Sequence, residues 1–260
     1  MMQISPFVHI NPDAKIGNDV EIGPFVTIDR NVVIGDGCKI GSNVTILEGA
    51  RIGNNVTIFP GAIISAIPQD LKFRGEETTA VIGDNTVIRE CATINRGTAS
   101  KGSTIVGHNC LIMAYCHVAH DCHVHNHVIM SNAVQLAGEV EVDDFAIIGG
   151  GTLVHQFCRL GSHIMIQGGA LINKDVPPFV KGAREPLCYT GVNSIGLRRR
   201  GFTNEKIREI QDIYRYLYLS GMNVSDAIQA IREKVPQTVE RDTILDFVAS
   251  SQRGIIKGYV

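Results

Sequence analysis

No stretch of this 260-residue chain approaches the ~18 consecutive apolar residues of a membrane helix, which excludes a helical span. The opening MMQISPFVHINPDAK lacks the basic and apolar regions of a secretory leader. The cytoplasm is therefore the expected compartment, and the seven cysteines are expected to be thiols. Net charge is also scarce. With 24 Lys+Arg against 26 Asp+Glu, the balance of −2 gives no general case for nucleic-acid binding. The balance is uneven along the chain, however. Residues 1–177 carry 11 Lys+Arg and 17 Asp+Glu, net −6, whereas residues 178–260 carry 13 and 9, net +4. A basic end on an acidic body points to an acidic partner or a phosphate at that end. Hydrophobic residues make up 44% of the chain, enough for a sizeable core.

What the chain has in abundance is a period of six. Counting from Ile4, every sixth position up to Ile64 is isoleucine, and the phase survives to Ile172. Of the 29 slots, 26 are Ile, Val, Leu or Met; the exceptions are Asp70, Glu76 and Ser100. Four residues after a slot comes a small or β-branched residue, as at Val20, Val26, Cys38, Ala50, Cys110 and Thr152. Gly, Asn and Asp crowd the places between. Neither a helical period nor simple alternation has this form. It predicts a short strand and a corner per unit, and three units per triangular coil. Stacked coils pair as parallel strands about 4.8 Å apart. About ten coils give a solenoid on the order of 50 Å long. Cys38, Cys110, Cys116, Cys122 and Cys158 fall in the small inward slot and are expected to be buried packing residues.

The phase breaks near 67–79, IPQDLKFRGEETT, and near 97–103, GTASKGS. Loops thrown out of a rigid scaffold often carry function, and the first holds Asp70, Lys72 and Arg74 together. At Pro177-Pro178 the hexads stop. Ile207, Ile210, Tyr214 and Leu217 then fall at helical spacing after a Thr203 cap, and Asn223 and Thr238 can open two further helices. The expected architecture is mainly β: a hexapeptide-repeat solenoid over 1–177 and a small α-helical domain over 178–260.

Five of the nine histidines lie between His117 and His127. Positions three repeat units apart stack on adjacent coils, which places Gly138 over His120 and Gln156 beyond it. His117, His120, Asp121, Gly138, His155 and Gln156 are expected to point outward, and all of them but Asp121 can share one outer patch of two or three coils. Three readings stay open. His123, His125 and His127 can be ordinary outward polar residues of the repeat. His120 and His125 can be zinc ligands, since zinc commonly takes histidines. Or His120, beside a carboxylate, can accept a proton while the bare N–H of Gly138 meets a developing oxyanion. The last combination suits acyl transfer to a hydroxyl.

The segments IPQDLKFRGE, CHVAHDC, LAGEVEVDDFAIIGG, LVHQFCRLG, KDVPPFV and GVNSIGLRRRGF together resemble the UDP-N-acetylglucosamine O-acyltransferases of lipid A biosynthesis. The resemblance covers essentially the whole chain. It implies a left-handed parallel β-helix, a homotrimer with sites between subunits, and no cofactor or metal. It implies transfer of an (R)-3-hydroxyacyl group from acyl carrier protein to the 3-hydroxyl of UDP-N-acetylglucosamine. Carried over residue by residue, His120 is the general base, Asp121 its partner and Gly138 the oxyanion donor. Asp70, Lys72, His117, His155 and Gln156 match positions holding sugar, nucleotide or acyl-phosphopantetheine. Asn193, Arg199 and Arg200 match positions for nucleotide or its phosphates. Gly168 matches a position limiting acyl length, and a glycine there leaves room for a long chain, as does Pro186 where histidine can close the groove. Glu139 and Ile195 depart from the family pattern, where His and Glu are common. Two other enzymes stay as alternatives: the related N-acyltransferase of the same pathway, and a metal-dependent hexapeptide-repeat enzyme. The first normally carries an extra N-terminal domain, for which hexads starting at Ile4 leave no room.

Overall fold

The computed structural model describes residues 3–258. Its body is a three-sided prism of short parallel strands. One sheet has 12 strands, from Gln3–Ile4 to Lys257–Gly258; a second has nine, from His9–Ile10 to Leu171–Ile172; a third has eight, from Lys15–Ile16 to Arg159–Leu160. We call these the first, second and third faces. The isoleucine slot of each strand is buried from Ile22 onward, and the small residue four places on is buried beside it. From Asp19 onward the regular corners each contain a left-handed residue, for example Asn43 at φ 57° and Asn55 at φ 55°. This explains the abundance of Asn, Asp and Gly between the slots, because these residues accept that conformation at least cost.

The two phase breaks are loops that conserve the phase because of their lengths. In a regular coil Ile34 pairs with Ile52, three hexads on. Ile52 then pairs with Ile82 and Ile82 with Val106, so these coils are longer by two hexads and by one. The extra hexads leave the second-to-third-face corner, at 67–78 and 97–102.

Beyond Pro178 the first face continues through a hairpin, Val180–Ala183 with Cys188–Val192, and then the strand Lys257–Gly258. Four helices lie between: α1 Ser194–Arg199, α2 Asn204–Leu219, α3 Val224–Lys234 and α4 Val239–Ala249. Thr203, Asn223 and Thr238 cap the last three, each side chain accepting a backbone N–H of the first turn. Tyr189 stacks on Tyr218 at 4.5 Å and on Tyr214 at 5.3 Å, and the buried Tyr214 hydroxyl donates to the Pro178 carbonyl. Arg159 on the third face lies over Phe247 at 4.5 Å and reaches Ser250 Oγ at 2.9 Å. The helical segment is thus joined to both the first and third faces.

A ladder of rings runs down the corner between the third and first faces. His127 stacks on Phe145 at 4.6 Å, Phe145 on His163 at 4.9 Å and His163 on Phe179 at 5.6 Å. Burial pushes the His163 imidazole down to about 4, with Arg200 adding to the shift and Asp144 opposing it. Its Nδ1 is buried without a hydrogen-bond partner. An unfolded imidazole titrates near 6.5. Below that pH the unfolded chain takes up a proton that the folded chain refuses, so stability falls as the pH drops from about 6.5 toward 4. His163→Phe is expected to reduce the stability lost between pH 7 and pH 5 by about 1–2 kcal/mol, allowing for partial exposure. Urea denaturation at the two pH values checks this; an unchanged difference would refute it.

Candidate active site

The site is built at the corner where the second face turns into the third. Gly138 sits directly against the His120 ring: a Cβ built on it would lie 2.6 Å from both Cε1 and Nε2. The stacking is held by the backbone, with the Glu139 N–H donating to the His120 carbonyl at 3.0 Å and the Phe157 N–H to that of Gly138 at 3.2 Å. His120, Gly138 and Gln156 therefore form one column. The N–H of Gly138 has no hydrogen-bond partner among the described residues.

His120 is largely enclosed, with 18% of its side chain exposed, and its Nδ1 lies 2.8 Å from Asp121 Oδ2. Asp121 corrects one expectation: at its outward corner it is not exposed but fully buried. The cause is the inserted loop 97–102, which folds over it. Thr98 donates to Asp121 through its N–H at 2.9 Å and its hydroxyl at 2.6 Å, and the Lys101 N–H donates at 3.2 Å. Asp121 itself takes a left-handed corner conformation, φ 59°, and its N–H donates to Thr104 Oγ1 at 2.8 Å. Burial pushes this carboxyl up, but the donors from Thr98, His120 and Lys101 outweigh it and hold Asp121 below its ordinary value. Asp121 is therefore an anion at neutral pH and can only accept. The proton of the neutral imidazole must then sit on Nδ1, leaving the lone pair of Nε2 turned toward Gly138.

Thr98 and Lys101 are the residues that periodicity missed; the available signal was their place inside a phase break. Glu139 is tied to the same loop: Ser100 Oγ donates to Glu139 Oε1 at 3.2 Å, and Lys101 Nζ lies 4.0 Å from its other oxygen.

The other expected residues fall into separate groups. His117 lies on the second face, its Nδ1 2.7 Å from Thr93 Oγ1. Burial, with a smaller effect from His120, keeps its pKa low and the ring neutral. In register with it run Gln135, Leu153 and Leu171. The two leucines are about half exposed, so this face carries an apolar strip. Gly150 and Gly168 stack along one edge of it, at the first-to-second-face corner. Beyond Leu171 a cavity of about 470 Å³ opens against Pro186, Leu187 and Ile256. His155 and Gln156 are exposed at the His120 corner, and His155 Nδ1 contacts the Gln156 carbonyl at 3.1 Å.

Asp70 and Lys72 lie two coils back, on the longer loop, where Asp70 accepts the Lys72 N–H at 2.9 Å. No hydrogen bond or ion pair joins them to His120 among the described residues. Asn193, Arg199 and Arg200 lie on the far side of the third face. Asn193 is buried, caps α1 and donates to the His163 carbonyl at 2.9 Å. Arg200 lies over Phe145 at 5.0 Å, and Arg199 is exposed. Ile195, in α1, is 65% exposed.

The inward-slot cysteines stay out of the chemistry. All five inward-slot cysteines are buried. Burial pushes Cys110, Cys116 and Cys158 up to about 11 and Cys122 up to about 12, so they persist as unreactive thiols.

A family model described as UDP-N-acetylglucosamine O-acyltransferase, domain 2, matches residues 175–256, and one for the GMPPB C-terminal domain matches 4–98. The acyl-(acyl-carrier-protein)–UDP-N-acetylglucosamine O-acyltransferase of Halorhodospira halophila is 42% identical over 258 residues, which is 99% of this chain and all of that protein. The enzyme of the same name from Thiobacillus denitrificans is 44% identical over 73% of this chain and 74% of its own. The crystal structure of a UDP-N-acetylglucosamine acyltransferase from Bacteroides fragilis superposes with a TM-score of 0.97 at 58% identity, covering 98% of this chain and all of that one. An Arabidopsis enzyme of that description reaches a TM-score of 0.82 at 30% identity, covering 98% of this chain and all of that one. The chain belongs to the family of acyl-(acyl-carrier-protein)–UDP-N-acetylglucosamine O-acyltransferases, acyltransferases built on a left-handed parallel β-helix.

Proposed function

We propose that this chain transfers an (R)-3-hydroxyacyl group from acyl carrier protein to the 3-hydroxyl of UDP-N-acetylglucosamine, the first step of lipid A biosynthesis. The observation that carries the reading is the column of His120 and Gly138, with Asp121 locked behind the imidazole. His120 Nε2 takes the proton of the sugar hydroxyl as its oxygen attacks the thioester carbonyl. The tetrahedral oxyanion is met by the N–H of Gly138. Asp121 stabilises the imidazolium. The intermediate collapses, the C–S bond breaks, and the proton passes from Nε2 to the departing thiolate. No metal or cofactor enters these steps.

Gln156 in the column and His117 and His155 beside it are assigned to the substrates, as are Asp70, Lys72, Asn193, Arg199 and Arg200. These last two groups sit away from His120 within one chain. The site therefore lies between neighbouring copies in a homotrimer, where a second chain can bring its loop or its arginines to the column. Arginine suits the diphosphate through its forked donors. The basic segment 178–260 receives the acidic carrier protein.

The strip of Leu153 and Leu171 is the path of the acyl chain, and the cavity at Pro186 extends it. Gly168 leaves the edge of this path open. Each methylene buried is worth ~0.8 kcal/mol, so donors of about 14 carbons or more should be preferred. The test is a transfer assay with UDP-N-acetylglucosamine and a series of 3-hydroxyacyl carrier proteins. Highest kcat/KM with the long donors is expected. Efficient use of a C10 donor alone would remove the acyl path, and no transfer from any donor would remove the function.

A further inference from the structure

We propose that His123, His125 and Glu141 form a binding site for a divalent ion of the zinc class, bridging the coil that carries His120 and the coil that carries Gly138. His123 and Glu141 are direct partners on adjacent parallel strands, so their side chains leave the third face side by side. His125 follows on the same coil. One donor atom from each of the three lies within 4.8 Å of the others, and no other such group of three or more occurs among the described residues. The two imidazoles stack at 3.8 Å with their planes 21° apart.

The contacts inside the cluster are unfinished ones. His125 Nε2 is shielded from solvent and has no hydrogen-bond partner. Glu141 Oε1 stands 3.6 Å from it, too far for a hydrogen bond. Two donors on one tetrahedral zinc, each about 2.0–2.1 Å from the ion, sit about 3.3 Å apart. The gap at His125 and Glu141 is thus close to the separation an ion would set, and His123 must rotate its ring out of the stack on His125 before both in-plane lone pairs meet one ion. Two imidazoles and one carboxylate suit zinc better than magnesium or calcium, and leave a fourth position for water.

The surroundings orient the carboxylate. Glu141 Oε2 lies 3.4 Å from Arg159 Nε, and Arg159 is itself fixed by Phe247 and Ser250. Arg159 and the nearby Lys101 temper affinity for a cation, whereas Asp143 and Asp144 favour one. We expect binding weaker than at a closed structural zinc site. His120 is not a member, because its Nδ1 is committed to Asp121. A bound ion would tie the two coils whose stacking sets the distance between base and oxyanion donor. Only that consequence rests on the function proposed above; the binding itself does not.

The test uses untagged, chelator-stripped full-length protein titrated with Zn2+ against a chromophoric competitor, with Co2+ absorption as a second readout. One ion per chain and the visible bands of four-coordinate Co2+ are expected. His123→Ala and His125→Ala should each weaken binding at least ~10-fold and abolish the rise in Tm caused by Zn2+. His127→Ala and His120→Ala should leave binding unchanged. Circular dichroism checks that each variant folds. Absence of stoichiometric binding, or binding that survives both alanine variants, would overturn the proposal. Loss in His120→Ala equal to that in His125→Ala would also overturn it, by moving the ion to the catalytic corner.

Discussion

His120→Ala is expected to lower kcat by about 10²–10⁴-fold, the usual contribution of a positioned general base. KM for UDP-N-acetylglucosamine should change little, because the proton transfer occurs in the transition state and removing it does not remove ground-state binding. The side chain is largely enclosed, so a second measurement must separate catalysis from folding. Thermal unfolding of His120→Ala should stay near wild type, since its ring packs beside a glycine and, among the described residues, its side chain hydrogen-bonds to Asp121 alone. Activity within tenfold of wild type in folded protein would take the role from His120. Asp121→Asn should show a different pattern. The amide can donate to Nδ1, favouring the tautomer that carries the proton on Nε2, where it cannot act as base. Buried Asp121 also takes three hydrogen bonds from the loop 97–102, so Asp121→Asn should lose stability as well as activity.

That contrast shows where the sequence was legible. A period of six, held from Ile4 to Ile172, is a global signal, and it predicted strands, corners, inward cysteines and the stacking of Gly138 on His120. It predicted the last because positions three hexads apart must stack in a regular coil. Asp121 failed for a local reason. The repeat places it at an outward corner, and nothing in a periodic rule says that the hexad inserted at 97–102 will fold back over that corner. The role of Thr98 and Lys101 was unreadable for the same reason: the phase break marks their loop, but what they bond depends on its path. The phase survived the insertions only because each is a whole number of hexads, and the off-pattern slots Asp70, Glu76 and Ser100 are what marked their extent.

The helical end divides similarly. Thr203, Asn223 and Thr238 could be read as caps because capping is a local property of side chain and following turn. Asn193 could not. The resemblance marked it as a nucleotide-binding position, yet within the chain it caps α1 and holds the His163 carbonyl. His123 and Glu141 were legible as neighbours on adjacent coils, three hexads apart. That His125 would turn its Nε2 toward the same carboxylate depends on rotamers, which no spacing encodes.

The second large effect is expected from Gly138→Ala, a change of one methyl group. The added Cβ would lie 2.6 Å from Nε2 and Cε1 of His120, well inside van der Waals contact, so the imidazole must move. The backbone of Gly138 is not left-handed, so alanine strains nothing locally and the fold should hold. Displacing the base and crowding the adjacent N–H should cost about 10²–10³-fold in kcat, the scale of losing an oxyanion donor, with Tm within a few degrees of wild type. The double variant decides the mechanism. If the methyl group acts mainly by displacing His120, adding Gly138→Ala to His120→Ala should cost less than a further tenfold, because the ring it pushes is gone. Losses that multiply in full would mean that the methyl group acts apart from the base, by crowding access to the N–H. Nearly full activity in Gly138→Ala would separate the column from catalysis altogether. The site would then have to be sought along the second face, where His117 is the remaining neutral imidazole beside the acyl path.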